Sequence, residues 1–229
     1  GLPTRTAQGD LTFVNFIGHG DTQQVILLPG GVDECFEFGW RAFDIAEQLQ
    51  WPVFVLSDLD MGMNQWMGKP FRYPDGPMKR GKVLWEKDLE AIKGDWGRYL
   101  DKDKDAVPYR TLPGNRHTSS GFFTRGTGHN ERAQYSERPD DWERNMARLK
   151  RKFETARALV PAPRVETMPG AEVGLIAFGS TDPAIIETRA RLAALRWRWS
   201  EPATLWDVDR PEDFDRLAAL FPDVLDWLQ

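Results

Sequence analysis

The chain holds one cysteine, Cys35, in 229 residues. A single thiol forms no internal disulfide, and an iron–sulfur cluster usually needs about four thiolates. A reducing compartment, the cytoplasm, is the expectation. Histidine is also scarce, at three residues, and no Cys-x-x-Cys accompanies it, so a zinc site has little support. Basic excess is absent: 30 Lys and Arg stand against 35 Asp and Glu, a net charge of −5. That argues against a nucleic-acid-binding module. No apolar run approaches the roughly 18 residues of a membrane span, and no signal segment opens the chain. Internal repeats and low-complexity tracts are missing. What is plentiful is core material: 41% hydrophobic residues and ten Trp, which excludes a disordered chain. The length allows one large domain or two small ones.

The first third alternates between two kinds of pattern. Leu11–Ile17 is a short apolar run, read as a strand. Gln24–Leu28 is a second, closed by Pro29-Gly30-Gly31. From Val32 to Leu49 apolar residues recur at three- and four-residue steps behind Asp33 and Glu34, which predicts a helix. Pro52–Leu56 is nearly all apolar, typical of a buried strand in a parallel sheet. Strand, helix and strand at these spacings predict a βαβ unit. Ser57-Asp58-Leu59-Asp60 then falls at the carboxyl end of a strand, where open α/β sheets gather ligands.

From Gly62 to His129 Pro, Gly, Asp and Lys are dense. Hairpins and irregular excursions are expected there, reaching toward a partner. Asp140–Leu159 reads as a helix with Trp142, Met146, Leu149, Phe153 and Ala156 on the apolar side. Arg148, Lys150, Arg151 and Lys152 form its basic face, and Pro161-Ala-Pro163 ends it. Val173–Phe178 predicts another buried strand, followed by a glycine turn and a helix from about Ala184 to Leu195.

Several loops carry ligand-friendly groups. Arg5, flanked by Thr4 and Thr6, suits a carboxylate, since guanidinium binds it bidentately and a hydroxyl adds a neutral bond. Gly18-His19-Gly20-Asp21 follows an apolar run and offers a proton-carrying His. Asp101-Lys-Asp103-Lys-Asp105 resembles the start of a calcium loop. Ala106 and Leu112 occupy the positions that need Gly and Glu, so a solvated charged turn is the better reading. Gly114–His117 and Thr124–His129 place basic and hydroxyl groups among glycines, a setting for anions or simply for turns. Gly179-Ser180-Thr181-Asp182 reads as a helix N-cap. None of these sets is catalytically self-sufficient.

Gly1-Leu-Pro-Thr-Arg-Thr-Ala-Gln-Gly-Asp-Leu11 resembles the Gly-Leu-Pro-Thr-Arg/Lys-x-x-Gln-x-Asp-Leu stretch of 2-oxoacid:ferredoxin oxidoreductase alpha subunits. The resemblance runs on through Gly18–Asp21, Leu28–Gly30, Glu34–Phe36, Pro52–Asp58, Pro108–Gly114, Phe123–His129 and Val173–Ser180. It implies an α/β fold: a pyrimidine-type, Rossmann-like thiamine-diphosphate-binding domain over 1–162, then a partial transketolase C-terminal-like domain over 163–229. It implies oxidative decarboxylation of a 2-oxoacid, of 2-oxoglutarate or pyruvate type, to acyl-CoA and carbon dioxide with reduction of ferredoxin. Thr4 and Arg5 are then the substrate-binding pair. Thiamine diphosphate and Mg²⁺ are shared with or held by a beta subunit, which also carries the iron–sulfur cluster. The chain opens without Met and reads as a piece of something longer. The family glutamate that activates the cofactor lies upstream of the opening motif, so the isolated chain is expected to be inactive. The tail from about 196 departs from the family. Its Asp207-Val-Asp209-Arg-Pro211-Glu-Asp213 resembles a closing segment of nucleotidyltransferases and equally suits a capped helix. Two alternatives stand beside the oxidoreductase reading: a non-catalytic thiamine-fold subunit that organises a partner, and a nucleotidyltransferase remnant in the tail.

Overall fold

The structure is a computed structural model that describes residues 7, 9–18, 20, 22–63, 65–124, 126–165 and 176–194. The chain divides into two compact units, one of residues 1–165 and 177–186, the other of 166–176 and 187–229. The first holds nearly all that is described.

Its centre is the βαβ unit. Strand β1 (Val25–Leu27) pairs in parallel with β2 (Val53–Val55), in the register Val25 to Val53, Ile26 to Phe54 and Leu27 to Val55. Helix α2 (Val32–Leu49) connects them; helix α1 (Asp10–Asn15) precedes both. The boundaries of α2 follow from local chemistry. Gly31 is extended at its start, Asp33 and Glu34 face the positive end of the helix dipole, and Gln50 closes it in the left-handed region. Phe38, Ile45 and Leu49 lie on one stripe and are buried with Val25, Leu27, Val107 and Ala156.

Two strand expectations change. Leu11–Ile17 is not a strand: Asp10–Asn15 is helical, with the Asp10 carboxylate accepting from Ala7 N at 2.9 Å. A short apolar run does not choose between helix and strand, and here the local acidic start decides. Strand β2 is only half-buried, because α2 packs on it while its far face stays partly open.

The excursion after β2 is anchored to α2 rather than extended away from it. After the short helix α3 (Leu59–Met63), Lys69 N donates to Asp33 Oδ1 at 2.9 Å and Lys79 N to Asp44 Oδ1 at 3.0 Å. Phe71 stacks on Phe36 at 4.7 Å. Gly81 has φ +66°, and a Cβ there would lie 2.5 Å from the Glu47 carbonyl, so only glycine closes this segment onto α2. Helix α4 (Glu86–Ala91), not foreseen in the sequence, starts where Trp85 N donates to Asp88 Oδ2. Inside 62–129 the described bridge is parallel, Val83 to Arg110, and the antiparallel bridge, His129 to Tyr135, starts only at the end of that stretch.

Helix α5 (Pro139–Arg157) matches the predicted span, but its buried face is turned from the predicted one toward polar residues. Asp141, Asn145, Arg148, Lys152 and Ala156 are buried, Met146, Leu149 and Phe153 are half-buried, and Trp142 is 59% exposed. Arg148 and Lys152, placed on the basic face, are each 5% exposed. Buried carbonyls explain the turn: Arg148 Nη1 donates to Ala106 O and Lys152 Nζ to Gln50 O at 3.0 Å. Helix α6 (Thr181–Ala194) begins three residues earlier than expected. Of the strand expected over 173–178, only 176–178 are described, and they are not in a strand. No helix among the described residues is long and apolar enough to cross a membrane.

Candidate functional site at the strand ends

The carboxyl ends of β1 and β2 converge on the Asp58 carboxylate. Asp58 Oδ1 accepts from Met61 N at 3.0 Å and so starts α3. Its Oδ2 accepts from Ser180 N at 2.9 Å, 122 positions away in sequence. Gly179, at φ +62°, fits beside it because a Cβ would lie 3.1 Å from Oδ2. The same turn approaches the loop after β1: a Cβ on Gly30 would sit 3.3 Å from Gly179 O. Gly30 N in turn donates to Glu34 Oε2 at 2.7 Å. Burial works upward on the Asp58 carboxyl, but hydrogen bonds from Ser180, Met61 and Asp60 outweigh it and hold it below the ordinary carboxylate value. Asp58 is therefore an anion at neutral pH, and it ties the start of α3 to the Gly179–Ser180 turn.

Beside these ends lies a cavity of about 650 Å³. Its walls include Leu27, Glu34, Phe38, Arg157, Arg164 and Asp182, so apolar side chains, carboxylates and guanidinium groups all line it. Cys35 stands on α2 nearby and donates weakly to Met61 Sδ at 3.8 Å. Partial burial, then the charges of Asp58 and Glu34, push its thiol above the ordinary value. The thiolate is the reactive form. Cys35 should therefore react with iodoacetamide at pH 7.5 more slowly than glutathione does. A rate equal to that of glutathione would show that the two carboxylates do not act on the thiol.

No group of three or more His, Cys, Asp or Glu side chains able to hold a metal occurs among the described residues. Asp58 and Glu34 already accept from backbone N–H groups. What this end offers is carboxylate acceptors, the guanidinium groups of Arg157 and Arg164, and an apolar wall.

The other sequence candidates separate clearly. Thr4, Arg5, Thr6, His19, Asp21 and Arg125 lie outside the described residues, as does the tail motif at 207–213. The Asp101–Asp105 loop is a structural clasp. Lys82 Nζ bridges Asp103 and Asp105 at 2.7 Å each, and Asp101 accepts from Ala106 N and Arg151. In the Gly114–His117 turn, Asn115 donates to Leu84 O, and His117 Nδ1 accepts from Ser119 N. His129 stacks on Tyr99 at 4.0 Å. These polar groups serve the turns themselves. At Gly179–Asp182 the turn is tied down from outside, by Asp58, a partner that spacing does not reveal.

Comparison with known proteins places these features. Residues 1–66 match the pyruvate flavodoxin/ferredoxin oxidoreductase, thiamine-diphosphate-binding family model. Subunit alpha of 2-oxoacid:ferredoxin oxidoreductase 2 from Aeropyrum pernix is 31% identical over 219 residues, covering 90% of this chain and 33% of that protein. The 2-oxoglutarate synthase subunit KorA from Methanothermobacter marburgensis is 44% identical over 62 residues, 27% of this chain and 16% of that one. A solved 2-oxoglutarate:ferredoxin oxidoreductase from Magnetococcus marinus, with 2-oxoglutarate, coenzyme A and succinyl-CoA bound, superposes with a TM-score of 0.68 at 25% identity. That match covers 96% of this chain and 37% of the solved one. The chain spans a third or less of the length of these curated relatives. It is similar over most of its length to alpha subunits of 2-oxoacid:ferredoxin oxidoreductases, and residues 1–66 match the model of their thiamine-diphosphate-binding family.

Proposed function

We propose that the chain is part of the alpha subunit of a thiamine-diphosphate-dependent 2-oxoacid:ferredoxin oxidoreductase. The observation that carries this is similarity to an alpha subunit across 90% of the chain, opening on the Gly1–Leu11 motif. The reaction is oxidative decarboxylation of a 2-oxoacid of 2-oxoglutarate or pyruvate type. Carbon dioxide leaves, the acyl group passes to coenzyme A, and the electrons pass to ferredoxin. Residues 1–162 act as the pyrimidine-side domain and 163–229 as a partial transketolase C-terminal-like domain. Bound thiamine diphosphate supplies the stabilisation of carbanionic charge. The beta subunit holds the diphosphate, Mg²⁺ and the iron–sulfur cluster, the last in keeping with a lone Cys35.

Within this chain, Arg5 binds the substrate carboxylate through its guanidinium fork and Thr4 adds a hydroxyl bond. Fixing that carboxylate sets the carbon–carbon bond that breaks in one orientation. A charged hydrogen bond of this kind contributes about 1.5–3 kcal/mol, and each 1.4 kcal/mol is about tenfold. Arg5→Ala in the alpha–beta complex is therefore expected to raise the apparent KM for the 2-oxoacid by about tenfold or more. The KM for coenzyme A should stay unchanged. Equal KM values for the 2-oxoacid in variant and parent would refute the assignment of Arg5. The wider reading is tested by co-expressing the full-length alpha chain with its beta subunit and following viologen reduction with a 2-oxoacid and coenzyme A. A stable complex without turnover would favour a partner-organising role instead.

A further inference from the structure

Buried charge in native proteins is paired, because an uncompensated ion loses far more hydration than a neutral group. The described residues contain a cluster that departs from this. Arg148 and Lys152, one turn apart on α5, point their charges at the backbone carbonyls of Ala106 and Gln50. Arg98, half-buried in the preceding loop, lies over the faces of Tyr99 at 5.3 Å and Phe122 at 5.6 Å. Arg148 lies over the same Tyr99 ring at 6.0 Å, and Lys152 over Trp51 at 4.8 Å. Carbonyls and aromatic faces bring partial charge only. No carboxylate among the described residues pairs with any of the three cations.

The neighbouring charges are already engaged. Asp101, which acts on Arg148, is bonded to Arg151 and to Ala106 N. Arg110, which acts on Arg98, is paired with Glu47. Arg148 Nε is buried and has no hydrogen-bond partner. Burial and then mutual repulsion lower the proton affinity of Arg148 and Lys152, as they would for cations lacking a counter-ion.

We propose that Arg98, Arg148 and Lys152 together form a binding site for a phosphate-type oxyanion, where the loop around Tyr99 meets the buried face of α5. Guanidinium groups present N–H donors in a plane that matches the oxygens of an oxyanion, which chloride does not offer. Arg98 is the cation with the greatest access to solvent. The phosphate group is either free or carried on a larger ligand.

The test is a titration of the chain with inorganic phosphate, with chloride at matched ionic strength as the reference. ADP serves as a probe of a carried phosphate group. Thermal unfolding and phosphorus NMR line width provide two readouts. A saturable rise in Tm with phosphate, weakened at least tenfold in apparent affinity by Arg98→Met, supports the site. Tighter binding of ADP than of phosphate, with the same Arg98 dependence, identifies the carried form. Arg98 is half-exposed, so its variant keeps the core. Should Arg98→Met still fail to fold, phosphorus line broadening by the parent chain, reversed by sulfate but not by chloride, supports the site. Equal responses to phosphate and chloride in the parent, or an unchanged phosphate response in Arg98→Met, would overturn the proposal.

Discussion

Between pH 7 and pH 9, in chloride buffer, the parent chain should gain about 2–3 kcal/mol of stability relative to Lys152→Met. The reason is the burial of an ammonium group against the Gln50 carbonyl that closes α2. Desolvation, then the charges of Arg148 and Arg98, lower the Lys152 ammonium to about 7. An unfolded lysine titrates near 10.4. Within the window the unfolded chain holds the proton and the folded chain releases it, so stability rises with pH. Below pH 7 both states are charged, and the folded state bears the full cost of the buried cation. One pH unit corresponds to about 1.4 kcal/mol, which sets the size.

Other groups act in this range with the opposite sign. Cys35 is pushed up, so stability attributable to it falls once pH exceeds the ordinary thiol value. Tyr109 behaves likewise at higher pH, its hydroxyl raised chiefly by its bond to Asp103. The difference between parent and Lys152→Met cancels both. Urea denaturation at half-unit pH steps measures it. Parallel profiles for the two chains would show that Lys152 does not titrate in this window. Added phosphate should flatten the parent's profile if the oxyanion site is real, because a bound anion restores the ammonium's proton affinity.

Leu49→Ala should cost about 2–5 kcal/mol, the largest single loss we expect from this chain. Leu49 is 0% exposed and ends the stripe of α2 that covers β1 and β2. Its neighbours are held on several sides: Val25 and Leu27 by strand pairing, Val107 and Ala156 by the clasp and helix above. They cannot collapse into the space, so the cavity term adds to the lost transfer term. Phe43→Ala on the same helix is the internal control. Phe43 is 65% exposed, and its removal should change stability by less than about 1 kcal/mol. Urea midpoints of the two variants measure this. Equal midpoints would mean that the stripe does not carry the core.

The opening motif and the loops that follow it carried the family resemblance before any fold was in view, because they are runs of particular residues in order. The βαβ unit was legible for a different reason. Gly31, the paired acids behind it and the apolar step of α2 are local signals, and each agrees with its neighbours. Asp58 was legible as a position, since strand ends can be located from apolar runs. Its partner was not, because Ser180 is 122 positions away. The run 11–17 was ambiguous by length, and α4 rested on a single capping contact between Trp85 and Asp88.

Helix α5 marks the boundary between the two kinds of information. Its periodicity determined that a helix forms and which residues share a face. Which face is buried depended on what lay across from it. The carbonyls of Gln50 and Ala106, left over at the end of α2 and in the Asp101–Asp105 clasp, drew in Lys152 and Arg148 and turned Trp142 outward. An unpaired carbonyl in a core is costly, and a long cation reaches it where a leucine does not. So the sequence alone determined the family resemblance, the α/β class and the bounds of α2. The tertiary structure alone decided that Asp58 ties α3 to a distant turn and that three cations meet without a carboxylate. Those facts depend on groups far apart in the chain, and no local pattern records their meeting.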